Sequence, residues 1–289
     1  MSAEKRSGGV IRAAAHAKVN LYLHVVGRRA DGYHLLDSLV VFVDLHDSLT
    51  VEPADDLSLA IDGPFAAALS GETDNLVLKA ARALASAAGR EPRVRFTLTK
   101  RIPVAAGIGG GSADAAAALR ALAELWSVEV PFELALKLGA DVNACLASQT
   151  LSMSGIGETL NTAPVLPPSF LLLVNPGVAV ATKDVFRARS GPFSKPAPFN
   201  VAPADTARLA RFLMHRGNDL TAAASVHAPV IKEARLKVAE TEGCLLSRMS
   251  GSGATVFGLY ATAEAAAAAA ESISRERPGW WTWSGPIRG

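Results

Sequence analysis

Hydrophobic positions alternate with polar ones in several short stretches of this chain, and elsewhere recur at helical spacing. Over residues 18–26, Val19, Leu21, Leu23 and Val25 take one face, while Lys18, Asn20, Tyr22 and His24 take the other, which predicts a half-buried strand. Further strands are expected over 40–45, 56–61, 93–99 and 170–174. A strand pair is expected over 244–248 and 255–260, around Met249-Ser-Gly-Ser-Gly253, with a last strand at 281–283. Helical spacing predicts helices over 74–88, 113–126, 131–138, 182–188, 204–215 and 263–274, with a shorter one after Asp141. Thr73 or Asp74 is a cap candidate for the first of these. Ser112 is one for the second, with Asp114 placed in its first turn.

The order of elements is that of an α+β protein. The Pro-rich stretch at 163–168 marks a boundary, giving an N-terminal domain over 1–166 and a C-terminal one over 167–289. The β-α-β-β-α-β order beyond the boundary suggests a ferredoxin-like half. Residues 190–203, rich in Pro and Ser, read as a mobile loop.

Composition narrows the function. The chain has 289 residues and a formal net charge of +2, which argues against a nucleic-acid-coating surface. The N-terminus is polar, and the longest apolar runs, such as 170–174 and 265–270, are too short to span a bilayer, so a cytoplasmic protein is expected. The two cysteines, Cys145 and Cys244, lie far apart with no metal-ligand spacing around them, so neither a structural zinc site nor a disulfide framework is expected.

The strongest chemical signal is the run Pro103-Val-Ala-Ala-Gly-Ile-Gly-Gly-Gly-Ser-Ala-Asp-Ala115, which leads straight into a helix. Bare amides at a helix N-terminus and the helix dipole together make an anion site, and phosphate is the first ligand to expect. The run is neither a Walker A loop, since no Lys-Ser/Thr follows, nor a dinucleotide fingerprint, since Ser112 stands where the third glycine would. On spacing alone, Lys18 and Asn20 read as the outer face of a solvated edge strand and Asp141 as a plain helix cap. Tyr33-His34, in a turn-rich loop, is either an aromatic grip for a flat ring or a loop anchor. Ser250-Gly-Ser-Gly253 alone is no more than a tight hairpin turn.

Taken together, these segments resemble the GHMP kinase superfamily of small-molecule phosphotransferases. The carriers are Ala17-Lys-Val-Asn-Leu21, Arg28-Arg-Ala-Asp-Gly-Tyr-His-Leu35, Asp74-Asn-Leu76, residues 103–115, Gly139-Ala-Asp-Val142, Asn218-Asp-Leu220 and Met249-Ser-Gly-Ser-Gly-Ala254. The stretch 17–35 is the most specific, and it points to the members that phosphorylate a cytidine diphosphate conjugate of methylerythritol. The resemblance implies a GHMP kinase fold, with an S5-domain-2-like first half and a ferredoxin-like second half. It also implies ATP and Mg2+ as cofactors and a small-molecule substrate, with no nucleic-acid or membrane partner, in a monomer or homodimer. It assigns Lys18 and Asp141 as the catalytic pair. Pro103, Gly107, Gly109, Gly110, Gly111, Ser112, Asn75 and Lys79 would bind ATP, and Asn20, Tyr33, His34, Thr182 and Phe186 would bind the acceptor. No metal-ligating residue is assigned. The family loop usually begins Pro-x-Gly and the segment after the aspartate continues Val-Pro-Phe; this chain has Ala105, Ala106 and Ile108, and Val142-Asn-Ala-Cys145. Alternatives are a homoserine- or mevalonate-type kinase of the same superfamily, or a non-catalytic nucleotide-binding protein.

Overall fold

The structure is a computed structural model, and it describes residues 9–71 and 75–288. Among the described residues, ten strands and nine α-helices form two compact units that interleave along the chain. The first unit runs to His16 and takes in His46–Val104 and Gly110–Ala147; the second takes in Ala17–Leu45, Ala105–Gly109 and Ser148–Gly289. The long strands β1 (Ile11–Arg28) and β2 (His34–Pro53) contribute residues to both.

In the first unit, β4 (Val94–Thr99) pairs antiparallel with the C-terminal part of β2 and parallel with β3 (Ser58–Asp62). The helices are α1 (Leu76–Ala87), α2 (Gly110–Trp126), α3 (Phe132–Leu138) and α4 (Val142–Ala147). Helix α1 turns Val77, Ala80, Ala81 and Leu84 inward, the i, i+3, i+4, i+7 pattern of an amphipathic helix. Helix α2 is buried over most of its circumference, from Ala113 to Leu119 and again at Ala121 and Leu122. Its alanines let neighbouring backbones approach closely, and α1 and α4 pack on it. Arg120 leaves this apolar surface by donating to the carbonyls of Ala14 and Cys145, at 2.7 and 2.8 Å.

In the second unit, the N-terminal part of β2 pairs antiparallel with β5 (Leu151–Gly155), and β5 with β6 (Thr159–Thr162). A separate sheet holds β7 (Phe170–Asn175), β8 (Leu246–Met249), β9 (Val256–Tyr260) and β10 (Trp281–Pro286) in the order β10-β7-β9-β8, antiparallel throughout. Helices α5 (Thr182–Ala188), α6 (Thr206–Met214), α7 (Thr221–His227) and α8 (Val230–Ala239) lie between β7 and β8 in the chain, and α9 (Ala263–Glu276) between β9 and β10. With α8 and α9 packed on the sheet, this is the ferredoxin-like arrangement expected.

Several expectations are corrected. Strand β1 is not half-buried, because Lys18, Asn20, Tyr22 and His24 are as buried as the apolar face. The strand expected over 40–45 is the middle of a 20-residue strand. Asn75 caps α1 by accepting from the Val77 amide at 2.9 Å; Thr73 and Asp74 lie outside the described residues. Strands β5 and β6 and helices α7 and α8 were not anticipated. The 190–203 segment forms no element, yet it is fastened at several points. Ser194 N–H reaches the Val25 carbonyl at 3.0 Å, Ala197 N–H reaches Asp37 at 2.5 Å, and Phe199 meets Phe212 edge-on.

Candidate active site

Helix α2 begins at Gly110, three residues before the expected start, so it opens inside the glycine cluster. Gly110, Gly111 and Ser112 therefore form its first turn, where amides have no intrahelical acceptor. Ser112 is not a cap but part of that turn, and Asp114 lies one step further in, where it is buried.

Within the first unit, other expected site residues gather round this turn. A Cβ on Gly111 would lie 3.6 Å from Leu76, next to the capping Asn75, and Lys79 N–H bonds the Asn75 carbonyl one turn on. A Cβ on Gly139 would lie 3.8 Å from the Ser112 hydroxyl. The Gly139-Ala-Asp141 turn thus sits beside the start of α2, and Asp141 leads into α4, its carbonyl accepting from Cys145 N–H at 2.9 Å. Pro103 is buried at the entry to the loop.

Within the second unit, Lys18 donates from Nζ to Asn20 Oδ1 at 3.0 Å, and Asn20 donates from Nδ2 to Ser38 Oγ at 2.8 Å. Ser38 in turn donates to the Tyr22 carbonyl at 2.6 Å. This chain of bonds is why a Lys-x-Asn face can be buried, since a polar group without partners there would cost several kcal/mol. Lys18 N–H bonds the Ile108 carbonyl at 3.0 Å, and a Cβ on Gly109 would meet the Lys18 side chain at 3.3 Å. The lysine and the loop centre are therefore in direct contact.

The loop centre also rests on the second Gly/Ser turn. Ser250 Oγ accepts from Asn20 N–H and donates to the Gly107 carbonyl, both at 3.1 Å. Thr255 N–H bonds the Ala106 carbonyl at 3.1 Å. Asn218 holds the turn itself by donating to the Met249 and Gly251 carbonyls, both at 2.8 Å. Ser250 to Gly253 joins β8 to β9 as a hairpin turn should, and it is also the seat of the glycine loop. The sequence carried a signal for the turn but none for what it supports.

Of the proposed acceptor-side residues, His34 and Phe186 meet, and Thr182 lies on the same helix as Phe186. Tyr33 is 62% exposed. His34 packs against Phe186 with ring centroids 5.3 Å apart, and burial, then Arg28 and Arg189, push its imidazole below the ordinary value. A neutral imidazole can donate at one nitrogen and accept at the other. Thr182 hydrogen-bonds Ser252 at 2.8 Å, which ties the start of α5 to the Gly/Ser turn. Among the described residues, no group of three or more His, Cys, Asp or Glu is arranged to hold a metal, and no helix is long and apolar enough to cross a membrane.

Ala105 has φ +53°, a left-handed conformation that its methyl disfavours but does not prevent. That conformation costs an L-residue about 1–2 kcal/mol, against about 0.5–1 kcal/mol for the extra freedom of an unfolded glycine. Ala105→Gly is therefore expected to stabilise the chain by up to about 1.5 kcal/mol. A lower denaturant midpoint for the glycine variant would contradict this account.

Comparison with known proteins agrees with the architecture. The GHMP kinases N terminal domain family matches residues 75–155, and the GHMP kinases C terminal family matches 204–278. The 4-diphosphocytidyl-2-C-methyl-D-erythritol kinase of Paramagnetospirillum magneticum is 54% identical over 271 residues, covering 92% of this chain and 95% of that protein. Its namesake from Rhodospirillum rubrum is 54% identical over 272 residues, covering 93% and 90%. A crystal structure of 4-(cytidine 5'-diphospho)-2C-methyl-D-erythritol kinase superposes with a TM-score of 0.79 at 37% identity, over 96% of this chain and 100% of that one. Homoserine kinase from Cytophaga hutchinsonii shares the fold alone, at a TM-score of 0.69 and 17% identity over 99% of this chain and 96% of that one. The chain is a kinase that belongs to the GHMP kinases and, among them, to the 4-diphosphocytidyl-2-C-methyl-D-erythritol kinase family.

Proposed function

We propose that this kinase transfers the γ-phosphoryl group of ATP to the 2-hydroxyl of 4-diphosphocytidyl-2-C-methyl-D-erythritol, in the non-mevalonate route to isoprenoid precursors. The observation that carries this reading is the start of α2 inside the glycine cluster. It leaves the first-turn amides of Gly110, Gly111 and Ser112 without intrahelical acceptors beside the Gly139-Ala-Asp141 turn. Relatives 54% identical over nearly the whole chain, named as 4-diphosphocytidyl-2-C-methyl-D-erythritol kinases, support the choice of acceptor.

In this reading residues 1–166 form the N-terminal, ATP-binding domain and 167–289 the C-terminal, substrate-binding one, with Asn20, Tyr33 and His34 of the first also binding the acceptor. Gly107, Gly109, Gly110, Gly111, Ser112 and Pro103 line the ATP phosphates, and Asn75 and Lys79 lie near the adenosine. Magnesium would enter with ATP, held largely by phosphate oxygens and water, and would neutralise part of the phosphate charge. Tyr33 stacks on the cytosine while His34 hydrogen-bonds its edge, Thr182 and Phe186 wall the pocket, and Asn20 contacts the methylerythritol end.

Asp141 takes the proton of the acceptor hydroxyl as the oxygen attacks phosphorus and the bond to ADP breaks. The Lys18 ammonium steadies the developing alkoxide and the transferring phosphoryl group. Phosphoryl transfer asks little covalent chemistry of the protein, so positioning and charge stabilisation supply most of the rate. The enzyme acts in the cytoplasm, as a monomer or homodimer.

The test is an ADP-release assay offering the cytidyl-methylerythritol substrate beside homoserine and mevalonate. Turnover is expected with the first alone. In a companion melting experiment, cytidine diphosphate at saturation should raise the melting temperature by several degrees, because a ligand that binds only the folded chain stabilises it by mass action. Protection by neither cytidine nucleotides nor the cytidyl substrate would overturn the acceptor assignment.

A further inference from the structure

One buried cluster in the first unit has no part in the reaction as described. Lys100, at the end of β4, places Nζ 2.5 Å from Asp47 Oδ2 and 2.7 Å from Asp114 Oδ2, and all three side chains are within 5% of complete burial. The other oxygen of Asp47 accepts from the amides of Arg101 and Ile102, at 2.5 and 2.9 Å. Those amides lead directly into the glycine run. Asp114 lies on α2, just past the end of the same run. The Lys100 ammonium sits beneath the junction, 3.6 Å from where a Cβ on Gly110 would stand. Asp47 thus fixes the entry of the loop, Asp114 its exit, and Lys100 ties the two together.

We propose that Asp47, Lys100 and Asp114 are positioning residues, a buried charge clamp that fixes the two ends of the glycine loop so that its amides stand where the ATP phosphates bind. This rests on the reading of residues 103–112 as the ATP phosphate loop. Stability alone is a poor reason to keep such a cluster, because burying a salt bridge costs desolvation that its Coulomb attraction only partly repays. The cost is visible: Asp114 Oδ1 is buried without a hydrogen-bond partner, and burial pushes this carboxyl up, with Lys100 opposing. What an apolar replacement could not do is grip two backbone amides and a helix at defined distances.

The experiment compares Asp114→Ala, which cuts the tie to α2, with Asp114→Asn, whose amide oxygen still accepts from Lys100. ATP binding by the unsubstituted chain is measured first by calorimetry. No ATP binding there refutes the phosphate-loop reading and the clamp with it, whereas binding there isolates the clamp as the point under test. The alanine variant is expected to raise KM for ATP about tenfold or more, with KM for the acceptor little changed, and the asparagine variant to return to within about threefold of the unsubstituted chain. Asp114→Ser, too short to reach the ammonium, makes the same comparison if the alanine variant does not fold. Equal KM values for ATP in all three chains, with only the melting temperature lowered, would overturn the proposal and leave the cluster a structural one.

Discussion

Asp141→Asn is expected to lower turnover by about 10²–10⁴-fold, the usual contribution of a positioned general base, with the melting temperature nearly unchanged. Asparagine matches aspartate in size and keeps one acceptor oxygen, so the turn after Gly139 retains its shape. Two of its bonds run through the backbone, Val142 N–H to the Gly139 carbonyl and Cys145 N–H to the Asp141 carbonyl, and neither of these depends on the carboxylate. What is lost is the capacity to take a proton. Lys18→Ala should reduce turnover comparably but with some loss of stability, because it also leaves Asn20 Oδ1 without the Lys18 ammonium it accepts from. Retention of more than about a tenth of the activity by either variant, a loss below the range expected of a base, would remove Lys18 and Asp141 as the catalytic pair.

The second large effect concerns stability. Gly107 has φ +74°, and a Cβ there would lie 2.5 Å from the Gly253 carbonyl oxygen and 2.8 Å from the Ser250 carbonyl oxygen. Both obstacles are backbone, so neither can swing aside as a side-chain tip could. Two costs add in Gly107→Ala: the left-handed conformation, about 1–2 kcal/mol, and the overpacking of two backbone turns, about 1–3 kcal/mol. Set against the about 0.5–1 kcal/mol gained by restricting the unfolded chain, the expected loss is roughly 1–4.5 kcal/mol. Gly191→Ala separates the two. Its φ of +89° carries the conformational cost, but nothing stands within 4 Å of the added carbon. Chemical denaturation of both variants should show Gly107→Ala losing at least twice as much as Gly191→Ala. Equal losses would mean that the close approach of the two turns contributes nothing.

Much of the architecture could be read from spacing. Strand β4 alternates cleanly, burying Val94, Phe96 and Leu98, and α1 keeps an unbroken apolar stripe. The ferredoxin-like half followed from element order alone. Strand β5 was missed although Leu151 and Met153 alternate with serines, because five residues ending in glycine look like a turn. Helix α8 was missed although Ile231, Ala234 and Val238 share one face, because its exposed charges dilute the signal.

Errors at the site have one cause. Sequence shows which residues are polar but not which polar residues find each other. Asn20 read as solvated because its partners, Ser38 and Ser250, are remote in sequence, and so did Lys18, whose ammonium donates to Asn20 and whose amide bonds Ile108 ninety residues on. Asp114 read as a helix-dipole residue because Lys100 and Asp47 leave no local trace around it. Arg248 passed unremarked, yet it is buried and donates to the carbonyls of Leu21, Leu213 and Arg216. Burial, then the nearby Arg235 and Arg216, lower its guanidinium to about 10. The resemblance to a family works differently from local pattern: it assigns Lys18, Asn20 and Asp141 to one site, an assignment that the turnover measurements above test.

The seating of Gly107 on residues 250–253 also bears on the order in which the molecule is made. The glycine run looks like a local motif, complete once residue 115 has left the ribosome, but its central residues close only on a hairpin synthesised some 140 residues later. Contacts this distant in sequence are made late, after the entropy of closing the intervening chain has been met. Nascent chains shorter than about 250 residues therefore hold the helix that follows the loop without the surface that shapes it. The loop thus takes its final shape only when the last third of the chain is in place.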